Sequence, residues 1–457
     1  MTSTPRSTDH SDSVHRKLFG TDGIRGQVGQ FPITPETCLK IAQITGRIVK
    51  ERGGKEVLIG KDTRISGYLL ESILQGGFIA SGINVGLLGV IPTPAIAYLT
   101  RTMGADLGIA ISASHNPYHD NGIKFFDQDG LKLPDSTEAQ IELMMRSGLS
   151  TVQGSELGKA SRPGSARNDY VNFCIDSVRG ELDLRDLHIV LDCAHGATYS
   201  IAPQVFATLG AKVETIGSDP NGININHRCG STDCNSLQRE VTRLRADLGI
   251  AFDGDGDRVV MVDKKGELLD GDHILYCLAR AQRLSHGDFG GVVGTVMTNR
   301  GLETALNELD IPFCRSDVGD RNVQNKMTEL GWSLGGENSG HIVCHQETTT
   351  GDGIVSALQV LLACQENRWN LSDIVRELRL FPQKLVNVGV KDSLKSAACS
   401  AVDGVLSRLT PAELDRHRIV VRPSGTESVV RVLVEGQDPE SVDRIAESCA
   451  QAITSMS

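Results

Sequence analysis

Long apolar runs are missing from this chain of 457 residues: no stretch of about 18 consecutive apolar residues could serve as a membrane-spanning helix. The polar first 15 residues also lack the apolar core of a secretion signal, and we expect residues 1–16 to form a disordered leader. Positive charge is scarce too, because 46 lysines and arginines stand against 57 acidic residues. Nucleic-acid surfaces need excess positive charge. The sequence therefore predicts neither a membrane nor a nucleic-acid partner.

Cysteine pairing is absent as well. The 11 cysteines are odd in number, none forms a C-x-x-C pair, and the closest spacing is that of Cys229 and Cys234. This pattern indicates neither a zinc module nor a disulfide framework and is typical of a reducing compartment, so we predict a cytoplasmic protein. The P-loop pattern G-x-x-x-x-G-K-[ST] is also missing, which argues against nucleotide hydrolysis.

The chain does contain an internal echo. Residues 105–110 and 246–251 both read A-D-L-G-I-A, and each run leads into a polar loop. A short apolar run that ends in such a loop predicts a buried strand whose carboxyl end carries the loop to a site. Helical patterns alternate with the predicted strands, so we expect an α/β protein. These helical patterns span residues 35–52, 67–81 and 237–246.

Turn-rich segments divide the chain. Segments rich in glycine, serine or turn residues lie at 147–164, 263–271 and 380–392, and we interpret them as linkers. The length alone suggests about three domains, and the linkers raise this number to four after the leader. The predicted domains span residues 17–165, 166–266, 267–380 and 381–457.

A serine motif in the first predicted domain offers a nucleophile. The run S-A-S-H-N-P directly follows the apolar residues 107–111, so Ser114 lies where a strand gives way to a loop, with His115 beside it. A nucleophile elbow would need glycine in place of Ser112 and Asn116, which disfavours a hydrolase of that type. Taken alone, the motif is equally a polar turn that ends at a proline.

An acidic motif in the second predicted domain offers a metal site. In D-G-D-G-D-R, glycines let the backbone curl so that Asp253, Asp255 and Asp257 converge. Without a cation, carboxylates this close would repel one another. An octahedral Mg²⁺ would need further ligands from water or a phosphate oxygen. A calcium EF-hand is excluded, since it needs glycine and glutamate where Arg258 and Lys264 stand.

Two further loops suit a phosphorylated sugar. The run G-G-E-N-S-G-H in the third domain offers a carboxylate, an amide and a hydroxyl to sugar hydroxyls, from Glu337, Asn338 and Ser339. The run R-P-S-G-T-E in the fourth domain lies between two strand-like runs and can cradle a phosphate through backbone amides and a guanidinium. Either loop alone is equally an ordinary surface loop. The predicted phosphate ligands are Arg422, Ser424, Gly425 and Thr426.

These four loops fall in four predicted domains, which requires a cleft lined by all of them. In their order along the chain, the motifs resemble those of the α-phosphohexomutase superfamily, and the resemblance covers the sequence from Lys17 onward. The runs F-G-T-D-G-I-R-G, K-D-T-R-I-S-G and T-T-T-G-D-G further resemble the branch that acts on glucosamine phosphates. Two residues depart from the pattern: His195 stands where asparagine is common, and Ser428 stands where proline is usual.

The resemblance implies three similar mixed-sheet α/β domains and a smaller C-terminal α+β domain around a central cleft. It implies an isomerase that interconverts glucosamine 6-phosphate and glucosamine 1-phosphate, on the route to UDP-N-acetylglucosamine and peptidoglycan. The working form would carry phosphoserine at Ser114, and glucosamine 1,6-bisphosphate would be the intermediate. The substrate is then a small phosphosugar, and the resemblance leaves a homodimer open.

The resemblance also implies roles for individual residues. One Mg²⁺ per chain would neutralise the charge of the moving phosphoryl group. Lys124 and Arg25 are placed in the site by resemblance alone, and they join His115 and Arg258 as candidates to stabilise that group or to shuttle protons. The implied metal ligands are Asp253, Asp255, Asp257 and a phosphate oxygen on Ser114.

Three alternatives stay open at this point. A phosphomannomutase or phosphoglucomutase would share the serine and metal loops, because the branches of the superfamily have these in common. A sugar-phosphate sensor without catalytic activity could retain the binding loops, since a fold can outlive its chemistry. A phosphatase is a third reading, which a closed, water-excluding cleft would disfavour.

Overall fold

The computed structural model describes residues 18–456 except 21, 147, 149, 179, 288 and 425–427. The predicted leader, residues 1–16, lies outside the described residues. The described residues form four separate sheets in succession; the first three are mixed, and the last is small and antiparallel. This arrangement confirms the predicted fold class. Among the described helices, none is long and apolar enough to cross a bilayer.

The first unit contains β1 (Ile24–Gln27), α1 (Pro35–Glu51), β2 (Glu56–Lys61), α2 (Ser66–Ala80), β3 (Asn84–Val90), α3 (Thr93–Met103), β4 (Leu107–Ile111), β5 (Asp120–Asp127), α4 (Asp135–Met144) and β6 (Ala160–Ser161). Its strands are ordered β1-β5-β4-β2-β3-β6. Strand β5 runs antiparallel to both of its neighbours, and the other pairs are parallel.

The second unit contains α5 (Ala166–Asp176), β7 (His188–Asp192), α6 (Ile201–Thr208), β8 (Lys212–Ile216), α7 (Asn235–Leu244), β9 (Leu248–Phe252), β10 (Val259–Asp263) and β11 (Leu268–Leu269). The strand order is β11-β10-β9-β7-β8. Strands β8, β7 and β9 are parallel, and β10 and β11 continue the sheet antiparallel. This sheet extends just past residue 266, where we placed a domain boundary.

The third unit contains α8 (Gly271–His286), β12 (Val292–Thr295), α9 (Arg300–Glu308), β13 (Phe313–Ser316), α10 (Asp320–Leu330), β14 (Leu334–Gly336), β15 (Ile342–Cys344), α11 (Gly353–Asn367) and α12 (Leu371–Glu377). The fourth contains β16 (Gln383–Gly389), α13 (Lys395–Ala401), α14 (Asp403–Leu406), α15 (Pro411–Arg416), β17 (His417–Pro423), β18 (Val429–Gly436) and α16 (Pro439–Thr454). The strand orders are β13-β12-β14-β15 and β16-β18-β17.

The two copies of A-D-L-G-I-A form equivalent strands, β4 and β9. Both are buried along their whole length, and each is parallel to one neighbour and antiparallel to the next. A helix packs on the glycine of each copy. A Cβ on Gly108 would lie 2.1 Å from Thr100 Oγ1, and a Cβ on Gly249 would lie 2.7 Å from Val241 Cγ2. Close contact between helix and strand therefore explains the repeated glycine.

All three predicted linkers contain strand residues, so the linker interpretation was wrong for those residues. In 263–271 they form β11, which pairs with β10. Strand β6 lies within 147–164 and pairs with β3, and β16 lies within 380–392 and pairs with β18 along its length. Both are edge strands. Their side chains are mostly exposed or half-buried, so neither strand produces the apolar run that marks a buried strand.

Asp352 connects the second and third units. Its Oδ1 caps α11 by accepting the Val355 N–H at 3.0 Å, and its Oδ2 accepts the hydroxyl of Tyr170 from α5 at 2.8 Å. Both side chains are buried, and Tyr170 belongs to a hydrophobic core that runs from α3 through the second unit into the third. Burial raises the pKa of Asp352 to about 6, although its hydrogen bonds act in the opposite direction.

Replacing Asp352 by Asn should therefore change how stability depends on pH. The folded protein holds the Asp352 proton more tightly than the unfolded chain, whose carboxyl has a pKa of about 3.9. This group's contribution to wild-type stability is full below about pH 4 and is lost as the pH rises through about 6. Asparagine can still cap α11. The variant should gain stability relative to wild type between these pH values, by at most about 3 kcal/mol.

Thermal unfolding followed by circular dichroism at several pH values measures this difference. Because all other titrating groups are shared, the comparison of variant with wild type isolates Asp352. A difference in melting temperature that stays constant from pH 4 to pH 7 would contradict the raised pKa.

Candidate active site

Ser114 lies beyond the carboxyl end of β4 in an unusual backbone conformation. Its φ is +51°, in the left-handed region that residues with side chains seldom adopt. The Ser112 Oγ accepts the Ser114 N–H at 2.8 Å. The Ser114 side chain is fully buried, and its Oγ donates to Oδ2 of Asp253 at 2.5 Å. Strained backbone of this kind is concentrated at functional sites.

The acidic motif follows the end of β9 and closes on itself. Oδ1 of Asp253 accepts the backbone N–H groups of Gly256 and Arg258 at 3.1 and 3.2 Å. Gly256 has a φ of +76°, which turns the chain between the second and third aspartates. As a result, oxygen atoms of Asp253, Asp255 and Asp257 lie within 4.8 Å of one another. The predicted convergence of the three carboxylates is thus present.

Two oxygen atoms of this cluster could coordinate a cation. Oδ1 of Asp255 and Oδ1 of Asp257 are buried, and neither has a hydrogen-bond partner within the described part of the chain. Burial, together with the neighbouring carboxylates, raises the pKa of Asp253 well above its ordinary value. Crowded carboxylate oxygens of this kind suit a hard divalent cation such as Mg²⁺. The residues present therefore fit a metal, with Ser114 Oγ next to them.

Lys124 on β5 supplies the nearest positive charge. Its Nζ lies 2.9 Å from Oδ2 of Asp255, 2.8 Å from Oδ2 of Asp257 and 3.2 Å from Oδ2 of Asp22. Burial disfavours the charge on this side chain, but the three carboxylates outweigh burial and raise its pKa well above the ordinary value. The structure thus places Lys124 against the acidic cluster.

The other predicted catalytic residues gather around the same cluster. Arg25, on β1, forms an ion pair with Asp22. Nε of Arg258 lies 3.9 Å from Oδ1 of Asp257. Nδ1 of His115 lies 3.3 Å from Ser114 Oγ. Burial, and then the positive charges of Arg258 and Arg25, lowers the pKa of His115 to about 3, so this ring is neutral at pH 7.

The loop predicted to bind the sugar, residues 335–341, is the sugar loop, and the loop of the three aspartates, residues 253–258, is the acidic loop. The two loops are joined through backbone contacts at Val259. Val259, at the start of β10, donates its N–H to the carbonyl of Gly340 at 3.0 Å. A Cβ on Gly340, whose φ is +90°, would lie 2.1 Å from the Val259 carbonyl oxygen. In the same loop, Oε1 of Glu337 accepts the Gly319 N–H at 3.0 Å, and Ser339 Oγ is buried with no hydrogen-bond partner among the described residues.

Asn338 has a backbone role in this loop as well. Its carbonyl oxygen accepts the N–H of Gly271, the first residue of α8, at 3.1 Å. A Cβ on Gly271 would lie 2.0 Å from the Glu337 carbonyl oxygen, so the loop packs tightly on the start of that helix. The third unit therefore anchors the loop through backbone contacts as well as through the Glu337 side chain.

The predicted phosphate loop joins β17 to β18. The Ser424 N–H donates to the Val429 carbonyl at 2.9 Å, and Lys395 Nζ donates to the Ser424 carbonyl at 2.7 Å. Arg422 stands directly opposite Arg431 on the neighbouring strand. Burial, and then Arg431, lowers the pKa of Arg422. Two cations across a strand pair repel each other unless an anion joins them. The predicted ligands Gly425 and Thr426 lie outside the described residues.

Sequence reasoning missed several residues of this site. Thr93 at the start of α3 donates its hydroxyl to Oδ2 of Asp255 at 2.6 Å, and Arg431 stands beside Arg422. Arg64 and Asn226 both bind the carbonyl oxygen of Ser114. Arg431 could have been found from strand alternation, which places it opposite Arg422. Thr93 and Asn226 make contacts between units, and Arg64 makes a long-range contact within the first unit; no local pattern reveals either kind.

Glycine at position 254 allows the serine and acidic loops to meet. A Cβ there would lie 2.6 Å from the Ser114 carbonyl oxygen and 2.7 Å from Nδ2 of Asn226. Neither atom can retreat without breaking a hydrogen bond, because Asn226 Nδ2 donates to that same carbonyl at 2.9 Å. The second unit thus approaches the serine loop at backbone distance.

Family models match the chain in four consecutive parts. The Phosphoglucomutase/phosphomannomutase models for alpha/beta/alpha domains I, II and III match residues 16–151, 168–266 and 270–381, and the model for the C-terminal domain matches residues 385–452. The chain is 53% identical over 444 residues to a phosphoglucosamine mutase of Sodalis glossinidius, covering 96% of this chain and 99% of that protein. It is 50% identical over 440 residues to a phosphoglucosamine mutase of Haemophilus influenzae, with the same coverage.

Solved structures share the fold at lower identity. A phosphoglucomutase/phosphomannomutase family protein from Burkholderia thailandensis is 22% identical with a TM-score of 0.79, over 96% of this chain and 97% of that one. An N-acetylphosphoglucosamine mutase from Aspergillus fumigatus, in complex with GlcNAc-6P and magnesium, is 17% identical with a TM-score of 0.66, over 96% of each chain. At these identities the likeness concerns the fold.

Replacing Gly254 by Ala should separate the serine loop from the acidic loop. The new methyl group would overlap the Ser114 carbonyl oxygen, so one of the two loops must move. Overpacking of this kind costs about 1–3 kcal/mol of stability. We also expect weaker Mg²⁺ binding in isothermal titration calorimetry, because the acidic loop changes shape.

Gly76→Ala is the matched control for this substitution. Gly76 lies in α2, and a Cβ there would meet nothing within 4 Å. Alanine is the better helix former, so this variant should keep its Mg²⁺ affinity and unfold at the same temperature or slightly higher. Equal Mg²⁺ affinity in both variants would contradict the proposed steric role of Gly254.

Proposed function

This chain belongs to the phosphoglucomutase/phosphomannomutase family, and we propose that it is an isomerase that interconverts glucosamine 6-phosphate and glucosamine 1-phosphate. The observation that carries the proposal is the contact of Ser114 Oγ with the Asp253 carboxylate at 2.5 Å, across two structural units. The identity of about half of all residues to proteins named phosphoglucosamine mutase supports the choice of sugar.

The reaction uses Ser114 as a phosphate carrier. A hydroxyl of the bound sugar phosphate attacks the phosphorus of phosphoserine, the bond from phosphorus to Ser114 Oγ breaks, and the hydroxyl proton passes to a base. The product is glucosamine 1,6-bisphosphate. This intermediate then reorients in the site. Ser114 Oγ attacks its other phosphate and loses its own proton, the bond from that phosphorus to the sugar oxygen breaks, and the sugar oxygen takes up a proton. The product isomer is released, and the enzyme is phosphorylated again.

The residues around Ser114 have separate tasks in this scheme. Lys124, Arg25 and Arg258 supply positive charge where the phosphoryl group moves. His115 Nδ1, 3.3 Å from Ser114 Oγ, is placed to exchange a proton with it. Mg²⁺ neutralises phosphoryl charge when it is bound, one ion per chain. Asp253, Asp255, Asp257 and an oxygen of the Ser114 phosphate would hold the ion.

The remaining loops hold the substrate at a distance from the chemistry. Glu337, Asn338 and Ser339 bind sugar hydroxyls in either orientation of the ligand. Because each isomer places its free hydroxyl at Ser114 and its single phosphate at the far end, one anchor serves both. This anchor consists of Arg422, Ser424, Gly425 and Thr426, and the fourth unit closes over it.

The substrate assignment places the protein in amino-sugar metabolism. Glucosamine 1-phosphate lies on the route to UDP-N-acetylglucosamine and peptidoglycan precursors. We further propose a cytoplasmic location, in agreement with the 11 cysteines, none of which is paired in a disulfide. A homodimer is compatible with this function. The rival activity, a mutase for glucose or mannose phosphates, would use the same serine and metal.

Replacing Ser114 by Ala should abolish turnover of glucosamine 6-phosphate while the sugar phosphate still binds. The variant lacks the oxygen that carries the phosphoryl group, but the sugar and phosphate loops are intact. A coupled assay measures turnover, calorimetry measures binding, and intact-mass analysis shows phosphate on the wild-type chain alone. The exposed Ser72 of α2 offers a matched control, because Ser72→Ala should retain wild-type turnover.

The same assay on three sugars tests the substrate. Wild-type kcat/KM should be highest for glucosamine 6-phosphate, with lower values for glucose and mannose 6-phosphates. A higher value for either neutral sugar would reassign the enzyme to a related branch. Full mutase activity in Ser114→Ala would exclude the phosphoserine route altogether.

Removal of divalent cations should stop the reaction reversibly. The aspartate oxygens without hydrogen-bond partners lose their counterion when a chelator removes the metal, so the charge of the moving phosphoryl group is no longer neutralised. Turnover is measured after treatment with a chelator and again after excess Mg²⁺ is restored. Undiminished turnover in metal-free buffer would contradict the proposed task of the three aspartates.

A further inference from the structure

Two side chains from different structural units hold the same two carbonyl oxygens in the serine loop. We propose that Arg64 and Asn226 are positioning residues, which fix the backbone of Ser114 so that its Oγ faces the three aspartates of the second unit. We call this pair the carbonyl clamp; it acts on the carbonyls of Ser114 and Asn116. The inference rests on the proposed role of Ser114 as a phosphate carrier.

Arg64 forms the half of the clamp that belongs to the first unit. Its Nη2 donates to the carbonyl oxygen of Ser114 at 3.1 Å and to that of Asn116 at 2.5 Å. The side chain is completely buried, and its charge is balanced by an ion pair with Asp62. Asp62 also accepts the Arg64 N–H at 2.9 Å, which fixes the direction of the guanidinium.

Asn226 forms the half that belongs to the second unit. Its Nδ2 donates to the Ser114 carbonyl at 2.9 Å and to the Asn116 carbonyl at 3.1 Å. Asn226 has a φ of +58°, a conformation that asparagine tolerates better than most residues. Its own N–H donates to the Ala194 carbonyl at 2.9 Å, so the loop that carries it is tied to the second sheet. The side-chain amide of Asn226 is therefore held in a fixed position relative to the second sheet.

The conformation of Ser114 explains why such a clamp is needed. A residue with a side chain and a φ of +51° is strained, and strain persists only where the surroundings over-determine it. The clamp supplies two donors to the Ser114 carbonyl, one from each unit. A flexible ammonium group could not imitate the rigid guanidinium, whose Nη1 pairs with Asp62 while its Nη2 donates to the two carbonyls.

The clamp also sets a distance between units. Ser114 Oγ comes from the first unit and Asp253 from the second, yet they lie 2.5 Å apart. Asn226 ties the second unit to the carbonyl of the same serine. This contact fixes the position of the nucleophile relative to the carboxylates. Misplacement of reacting groups by about 1 Å can cost about 100-fold in rate. Among the described residues, neither member of the clamp is hydrogen-bonded to the sugar loop or the phosphate loop.

Asn226→Gly is the sharpest test, because glycine adopts a positive φ without strain and removes only the amide. We expect kcat to fall by about 10- to 100-fold, while KM for glucosamine 6-phosphate stays near the wild-type value. Arg245→Gly is the matched control: Arg245 also has a positive φ of +53°, in the same unit, and it is exposed at the end of α7. This control should keep wild-type kcat.

Chemical rescue tests the other half of the clamp. Arg64→Gly should lose kcat, and millimolar guanidinium chloride should restore part of it by occupying the vacated position. Arg64→Lys should keep the low kcat, because the single nitrogen of lysine cannot replace the two separately placed terminal nitrogens of the guanidinium. A merely structural role predicts a lower melting temperature with no rescue and no separation of kcat from KM. That result, or wild-type kcat in Asn226→Gly, would overturn the proposal.

A single-turnover measurement separates this inference from the proposed function. Wild-type enzyme labelled with phosphate on Ser114 is mixed with excess glucosamine 6-phosphate, and loss of the label is followed in time. If the wild-type protein transfers no phosphate, the proposed function fails. If the wild-type protein transfers it and both clamp variants transfer it equally fast, only the clamp fails.

Discussion

Three carboxylates buried within 4.8 Å of one another need positive charge, and this need shapes the rest of the molecule. Isolated buried charges are costly, so they must be paired. The second unit, which carries the carboxylates, relies on the first for much of the compensation. Lys124 reaches across from β5 to Asp255 and Asp257, and Thr93 donates its hydroxyl to Asp255 at 2.6 Å. The acidic loop is therefore complete only when the first two units are docked, and the site lies at their boundary.

The same demand explains the glycines of the motifs. Loops that must bring charged groups together have to approach at backbone distance, where a side chain does not fit. A Cβ on Gly196 would lie 2.3 Å from the Gly254 carbonyl oxygen, and a Cβ on Gly340 would lie 2.1 Å from that of Val259. The acidic loop is thus enclosed by neighbours from its own unit and from the third. These glycines are needed more for close contact between the loops than for flexibility of the backbone.

The sequence allowed prediction of features that are local, and missed those that depend on docking. The apolar runs of β4 and β9, each ending in a polar loop, correctly indicated where the serine and the aspartates lie. Edge strands such as β16 have alternating exposure and escaped notice. Arg64 could be recognised only as one more cation near a turn. Its complete burial against two carbonyls results from the packing of the serine loop, more than 40 residues away in sequence.

The internal echo shows how such a site can arise from one repeated element. In each copy of A-D-L-G-I-A the aspartate ties the strand to its parallel neighbour: Asp106 accepts the Glu56 N–H at 3.0 Å, and Asp247 accepts the His188 N–H at 2.8 Å. The glycine of each copy admits a helix, as described above. These demands are purely structural, so the two strands keep the same sequence. The loops that follow are free of these packing constraints, because they begin where the two strands end. The loop after β4 carries the nucleophile, and the loop after β9 carries the carboxylates. Because the nucleophile and the carboxylates act together, the chemistry requires that these two loops face each other.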